Sequence, residues 1–264
     1  MLDREDYMEP RCPLCMNAKE RIPVDRIIEK LDEHIEKGET DRAEEHLRYW
    51  LAESKTLGDN SGELTVSSEL MGLLRKNGRK EEALSLAYET VSSVSRFDMQ
   101  DTVTGATALL NAGTVFRAFG HEDEAAKQYE RAEAVYEKDL AKDDTRVAGL
   151  YNNFAATLTE LKRYDEALDK YNKALDILSK KQTSELEEAI TYLNIADLVN
   201  KRDGILNAEK ETEELLNKAY NCLTSDNTEH NAYYRFVLDK CIPAFDYYGH
   251  ISEGMELRKR MNEY

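Results

Sequence analysis

Proline, phenylalanine and tryptophan are scarce in this chain. Of its 264 residues, four are proline, six are phenylalanine and one is tryptophan. No stretch shows the apolar and polar alternation of a β-strand, and the 41% of hydrophobic residues instead recur at helical spacing. Because proline disrupts helix interiors, its scarcity also permits many helices. We therefore predict an all-α protein.

Long apolar runs are missing as well. The opening MLDREDYMEPRCPLC is acidic and holds no apolar stretch of signal-peptide length. No later stretch approaches the roughly 20 apolar residues that a membrane-spanning helix needs. From sequence we expect a cytoplasmic protein that does not act at a membrane.

Basic residues are outnumbered, with 36 lysines and arginines against 53 acidic residues and a net charge of −17. Such a surface repels nucleic-acid phosphates, and no basic run interleaved with aromatics reverses this locally. We therefore predict no nucleic-acid partner. The acidity has two open interpretations: it keeps an elongated protein soluble, or it favours basic or neutral peptide partners.

Catalytic motifs are absent from the sequence. It contains no H-E-x-x-H, no G-x-S-x-G and no phosphate-binding loop. His121 and His250 each follow a glycine in a polar stretch, as loop residues do. We expect a protein that is not an enzyme.

A small residue instead recurs about every 42 positions. Each small residue stands five places after a glycine, or after a lysine in one case, and the residues between are polar. A glycine can end one helix in the left-handed conformation, and a small residue lets the next helix cross closely. The pairs are Gly38 and Ala43, Gly78 and Ala83, Gly120 and Ala125, Lys162 and Ala167, and Gly249 and Gly254.

This period predicts six antiparallel helix hairpins behind an amino-terminal tail. In the fifth hairpin the stretch KRDGILNAEK predicts a lengthened turn, and Thr212 replaces the small residue. We place the tail at 1–22 and a single solenoid domain at 23–264, with hairpins at about 23–57, 61–97, 101–141, 144–181, 184–225 and 228–263.

These hairpins resemble the tetratricopeptide repeat (TPR) family. A period near 42 is similar to the kinesin light chain branch, and the chain as a whole resembles bacterial tetratricopeptide proteins. The resemblance implies a right-handed superhelical solenoid that serves as an adaptor and does not catalyse a reaction. The matching residues are Tyr129 and Ala132 after Ala125, Tyr171 and Ala174 after Ala167, and the small residues Gly113, Ala155 and Ala196 in first helices.

Three asparagines share one position in successive first helices. Asn111, Asn153 and Asn194 each stand two residues before the small residue. A carboxamide there can donate to and accept from the main chain of an extended peptide in the concave groove. Two alternatives stay open: an amide ladder between adjacent helices, or solvated side chains. The predicted peptide-binding set is Asn111, Asn153, Asn194, Thr114 and Asp197, with Glu69 and Lys240 at the groove ends.

The element Cys12-Pro13-Leu14-Cys15 is half of a tetrahedral zinc site or a thiol redox pair. Two chains that each contribute Cys12 and Cys15 would complete a zinc site and form a homodimer. A redox role would need a βαβ context that the sequence does not show. Plain reduced cysteines are the third possibility.

The sequence therefore favours a scaffold or adaptor that binds a protein or an extended peptide in the concave groove and has no enzymatic activity. Two alternatives remain. One is a sensor of short signalling peptides, and the other is a metal-linked homodimer whose groove holds no ligand.

Overall fold

The computed structural model describes residues 21–228 and 230–263. Over these residues the chain forms twelve α-helices and no β-strand, which confirms the predicted all-α fold of six helix hairpins. None of the described helices is long and apolar enough to cross a membrane. The helices are α1 (Val24–Glu36), α2 (Thr40–Leu57), α3 (Asn60–Lys76), α4 (Lys80–Arg96), α5 (Val103–Ala118), α6 (Glu122–Asp139), α7 (Thr145–Glu160), α8 (Tyr164–Leu178), α9 (Glu185–Asp203), α10 (Ile205–Leu223), α11 (Ala232–Tyr247) and α12 (Ile251–Glu263).

The chain divides into two compact units at Leu140. Helices α1 to α6 belong to the first, which we call the N-terminal unit, and α7 to α12 belong to the C-terminal unit. Within the N-terminal unit α3 packs on α5, and within the C-terminal unit α9 packs on both α7 and α11. The placement of a tail at 1–22 and one domain at 23–264 stays a prediction.

Five of the six hairpin turns share a left-handed residue just after the first helix. Gly38, Gly78, Gly120 and Gly249 have φ between 69° and 84°. Lys162 takes the same conformation at φ 61°, although this conformation is less favourable for a residue with a side chain than for glycine. In the turn at Lys162 the amide of Arg163 donates to the carbonyl of Leu158 at 2.8 Å, and this bond closes the end of α7.

The fifth turn corrects one expectation. The predicted lengthened turn is wrong, because α9 and α10 each run for 19 residues and only Gly204 separates them. Lysine and arginine are good helix formers, so the KRD stretch continues α9 instead of looping. Gly204 has φ 81° and ψ 151°, a conformation open essentially to glycine alone. Asn200 ties the hairpin together by donating its amide to the Thr212 hydroxyl at 2.7 Å.

The small residues after each turn lie where predicted. Ala43, Ala83, Ala125 and Ala167 have no exposed surface, and Gly254 is buried. Each is the fourth residue of the second helix of its hairpin, buried where that helix meets its neighbours, so a larger side chain would separate packed helices. The predicted burial of Ala125 and Ala167 is therefore confirmed.

Replacing Ala125 or Ala167 with leucine tests this packing. The added carbons have no room, so each change is expected to lower the free energy of unfolding by about 1 to 3 kcal/mol. Ala134→Leu is the matched control, because Ala134 lies on the exposed side of α6 and leucine is nearly as good a helix former. Chemical denaturation of the three variants measures the effect. Equal stabilities for Ala125→Leu and Ala134→Leu would contradict close packing at Ala125.

The core of the C-terminal unit also encloses its cysteine thiols. Cys241 is buried between α9 and α11 neighbours, and burial raises its pKa to about 12. Burial together with Glu188 and Glu185 raises the pKa of Cys222 to about 11. Both thiols are thus protonated at neutral pH. Neither is activated as a nucleophile, since nucleophilic attack needs the thiolate.

Candidate functional site

The predicted binding residues lie on the first helices of five of the six hairpins. In the N-terminal unit they are Glu69 on α3 and Asn111 and Thr114 on α5, and we call that surface, which also carries Arg75 and Arg117, the N-terminal face. In the C-terminal unit they lie on α7, α9 and α11, and we call that surface the C-terminal face: Asn153, Asn194, Asp197 and Lys240.

Glu69 is the most perturbed acid of the N-terminal face. Its side chain is partly buried on α3, and burial, followed by the nearby negative charge of Asp32, raises its pKa to about 7. Burial and the charge of Glu36 also raise the pKa of Asp32. Glu69 is therefore close to half-protonated near neutral pH, when an ordinary glutamate is fully charged.

Asn111 and Thr114 differ in whether they are free to bind a ligand. Asn111 is partly exposed, and its amide makes no hydrogen bond to any described residue. The Thr114 hydroxyl instead donates to the Leu110 carbonyl at 3.1 Å and lies 3.2 Å from the Tyr129 hydroxyl. Asn111 can thus meet an incoming group, whereas Thr114 already has protein partners.

The asparagines of the C-terminal face show the same contrast. Asn194 is partly exposed and makes no hydrogen bond within the described chain. The amide of Asn153 donates to the Gly149 carbonyl of its own helix at 3.1 Å. Neither side chain joins adjacent helices, so the amide-ladder alternative does not describe these two residues.

The charged residues of the C-terminal face are engaged with neighbours. Asp197 accepts from Lys201 at 2.9 Å, and Lys201 also reaches Glu160 of α7 at 2.6 Å. Lys240 of α11 is exposed and lies over the Phe236 ring, 4.2 Å from its centroid. The ion pair with Lys201 offsets the negative charge of Asp197. The contact between Lys240 and the Phe236 ring is a cation–π contact.

Sequence reasoning missed the asparagine that does join two helices. Asn152 of α7 donates its amide to the Thr191 hydroxyl of α9 at 2.8 Å. Its carbonyl oxygen is buried and has no hydrogen-bond partner in the described chain. The pair Asn152 and Asn153 in YNNFA was the available signal, but the sequence alone does not say which of the two faces inward.

Sequence reasoning also missed two arginines on the N-terminal face. Arg75 and Arg117 each stand three residues before a turn glycine, Gly78 and Gly120, and both are partly buried. They are 42 residues apart, the spacing of the repeat, so this regularity could have indicated them.

The predicted zinc ligands Cys12 and Cys15 lie outside the described residues. Among residues 21–228 and 230–263 no group of three or more histidine, cysteine or acidic side chains could hold a metal. The zinc site and the homodimer that it would join stay predictions.

The fourth hairpin matches a known family model. Residues 147–180, which cover nearly all of α7 and α8, match the model of the tetratricopeptide repeat family. The fourth hairpin is thus similar to a tetratricopeptide repeat. The matched segment contains Asn153 and the small residues Ala155 and Ala167.

A curated relative shares part of this chain's sequence. It is the clustered mitochondria protein homolog of Candida albicans, 31% identical over 126 residues, which are 47% of this chain and 9% of that protein. The matched segment thus spans less than a tenth of the relative's length.

Solved structures show the same fold at low identity. Repeats of a kinesin light chain protein from Podospora anserina are 17% identical at a TM-score of 0.55, covering 77% of this chain and 95% of that one. The apo form of RapI is 12% identical at 0.66, covering 93% and 88%. A Rap protein complexed with competence and sporulation factor is 12% identical at 0.58, covering 90% and 62%. At these identities the likeness concerns fold, and it agrees with the kinesin light chain resemblance.

Proposed function

We propose that this protein is a scaffold that binds other proteins, and that its first-helix faces hold extended polypeptide main chain. The observation that carries the proposal is that Asn111 and Asn194, at the same position of the repeat, are partly exposed and have no hydrogen-bond partner within the described chain. Each unit contributes one such amide, so each face is treated separately.

An unpaired carboxamide on a helix favours this function on physical grounds. Asparagine is a mediocre helix former because its amide competes with the backbone, so two free amides at one repeat position weaken α5 and α9 slightly without internal compensation. A carboxamide can donate to a peptide carbonyl and accept from a peptide N–H at once. Each such bond contributes about 1 kcal/mol, which holds a main chain without selecting its sequence.

The Rap structure supports a peptide-sensing form of the same function. That protein has this fold and was solved with competence and sporulation factor bound. A sensor of short signalling peptides is therefore the second candidate. A sensor would bind peptides on the same faces and pass on a signal, whereas a scaffold would bring proteins together in an assembly.

Alanine substitution of the asparagines separates binding from stability. Asn111→Ala and Asn194→Ala should leave the melting temperature unchanged or slightly higher, because alanine is the better helix former. Each should weaken peptide binding by about 1 to 2 kcal/mol through lost hydrogen bonds. Peptides selected from a random library against the wild-type chain provide the ligand, and calorimetry gives the affinities.

Two neighbouring asparagines serve as matched controls. Asn152→Ala should lower stability and leave affinity alone, since Asn152 joins α7 to α9. Asn153→Ala should have the smaller binding effect, because its amide is already bonded to its own helix. If Asn111→Ala and Asn194→Ala destabilise the fold and bind the selected peptide normally, main-chain binding is ruled out.

A further inference from the structure

Two histidines lie side by side in the first hairpin. His34 belongs to α1 and His46 to α2, and their ring centroids are 6.0 Å apart. Both residues are partly buried, and 12% of the His34 side chain is exposed. Two imidazoles on one tetrahedral zinc ion have ring centroids about 5 Å apart, so this pair is within about 1 Å of the separation that a shared metal requires.

A hydrogen bond holds each ring at one of its two nitrogens. The Nδ1 of His34 lies 2.8 Å from a carboxylate oxygen of Glu39, and the Nε2 of His46 lies 3.0 Å from the carbonyl oxygen of Ile27. An ionised carboxylate and a carbonyl only accept, so each of these nitrogens carries the proton. The neutral rings therefore have their lone pairs at His34 Nε2 and His46 Nδ1, and neither atom makes a hydrogen bond to a described residue.

The partners of these rings are those of metal-binding histidines. A histidine that binds a metal through one nitrogen usually donates its other ring N–H to a carboxylate or a backbone carbonyl, which fixes the tautomer and the orientation of the ring. His34 has a carboxylate partner and His46 a carbonyl partner. Glu39 is itself held, because it accepts a second bond from Arg42 at 2.8 Å.

A closed zinc site needs two ligands besides these histidines. Within residues 21–228 and 230–263 no third histidine, cysteine or acidic side chain completes a metal-binding group. Cys12 and Cys15 precede this part of the chain, and their spacing is common among zinc ligands. The sequence thus supplies two thiolates, and the first hairpin supplies two imidazoles.

The cysteines are near enough along the chain to reach the histidines. Cys15 stands six residues before Arg21, a stretch that spans up to about 20 Å when extended. Ile27, whose carbonyl contacts His46, stands six residues after Arg21, and part of that stretch is helical and therefore shorter. The connection from Cys15 is consequently long enough for an intramolecular site.

We propose that His34 and His46, together with Cys12 and Cys15 of the same chain, bind one zinc ion. Two thiolates and two imidazoles are a common ligand set of structural zinc, and the sulfur ligands favour zinc over magnesium or calcium. Four protein ligands leave no open position for water or substrate, so the ion is structural. The site joins the cysteine pair to the first hairpin of one chain, in contrast to the predicted zinc site shared by two chains.

Cobalt tests the position of the metal through Trp50. This residue is the sole tryptophan of the chain, and its ring centroid lies 6.5 Å from that of His46. Co²⁺ accepts the same nitrogen and sulfur ligands as zinc, and a paramagnetic ion quenches a nearby indole. Titration of the reduced full-length chain with Co²⁺ should quench Trp50 fluorescence to an end point at about one ion per chain. Added zinc should displace the cobalt and restore the fluorescence.

X-ray absorption of the zinc-loaded wild type identifies the ligands without any substitution. The expected result is two sulfur atoms at about 2.3 Å and two nitrogen atoms at about 2.0 Å from the zinc. Four sulfur ligands, with one zinc for two chains, would assign the metal to the homodimer and overturn the proposal. Failure of the reduced protein to bind zinc, or cobalt binding that leaves Trp50 unquenched, would also overturn it.

Substitutions then test the histidines one at a time. His34→Gln and His46→Gln should each weaken zinc binding by about a hundredfold or more, and Glu39→Ala, which removes the partner of His34, by about tenfold or more. His121→Gln, in the turn before α6, is the matched control and should bind zinc as wild type does. Equal zinc affinity in all four variants would contradict the site, and the wild-type spectra decide the question if a variant does not fold. These measurements use no peptide and are independent of the proposed function.

Discussion

Gly105→Ala is expected to lower the free energy of unfolding by about 3 kcal/mol, more than a single methyl group usually does. A Cβ on Gly105 would lie 2.0 Å from the carbonyl oxygen of Met99 and 2.9 Å from its carbonyl carbon. This obstacle is backbone and cannot rotate away. It is also fixed, because the Met99 carbonyl accepts bonds from the Thr102 amide at 3.1 Å and the Thr102 hydroxyl at 2.8 Å.

Gly72→Ala is the matched control for Gly105. Gly72 lies within α3 of the same unit, and a Cβ there would meet nothing within 4 Å. Since alanine is the better helix former, this change should stabilise the chain by up to about 1 kcal/mol. Opposite signs in urea unfolding are the expected result. Two stabilised variants would show that the turn before α5 moves freely, contrary to the contacts of Met99.

Glu69→Gln is expected to stabilise the protein at alkaline pH by up to about 3 kcal/mol. Burial and Asp32 raise the pKa of Glu69 from an ordinary 4.5 to about 7. The folded state holds this proton more tightly than the unfolded state does. The wild-type fold therefore has its full stability below pH 4.5, the ordinary pKa of this group. That advantage is lost as the pH rises from 4.5 through 7. Glutamine is neutral at every pH and avoids the loss.

The measurement is the stability of both proteins across this pH range. The difference between Glu69→Gln and wild type should be small near pH 4.5 and reach its maximum above pH 7. Glu45→Gln, on the exposed side of α2, is the control and should show no such rise. A constant difference between Glu69→Gln and wild type at all pH values would mean that Glu69 ionises as an ordinary glutamate does.

The hairpins were predictable because each depends on local chemistry. A glycine that ends one helix and a small residue that begins the crossing of the next are visible in the sequence, and Gly120 with Ala125 shows both. The fifth turn was predicted wrongly because its polar residues have two uses. Lys201 and Arg202 are polar, as loop residues usually are, yet they are also good helix formers, and α9 continues through them as far as Asp203.

The positions of the candidate binding residues were predictable, but the hydrogen bonds and the protonation of their side chains were less so. The repeat placed Asn111 and Asn194 at one phase, but whether an amide is free depends on neighbours that the sequence does not show. Thr114 illustrates this, since the Tyr129 hydroxyl beside it comes from another helix. The raised pKa of Glu69 was equally hidden, because it depends on the burial of its side chain and, after that, on the charge of Asp32 from α1.

The left-handed lysine at position 162 has a consequence for recognising such repeats. Its φ of 61° shows that the turn geometry persists where glycine has been replaced. A search keyed on the turn glycine would pass over the hairpin of α7 and α8, although residues 147–180 of that hairpin match the family model. The fully buried Ala167 is present there, as its counterparts are in the preceding hairpins. The small residue at the helix crossing therefore marks this hairpin where the glycine does not, whereas the fifth hairpin has Gly204 at its turn and Thr212 in place of the small residue.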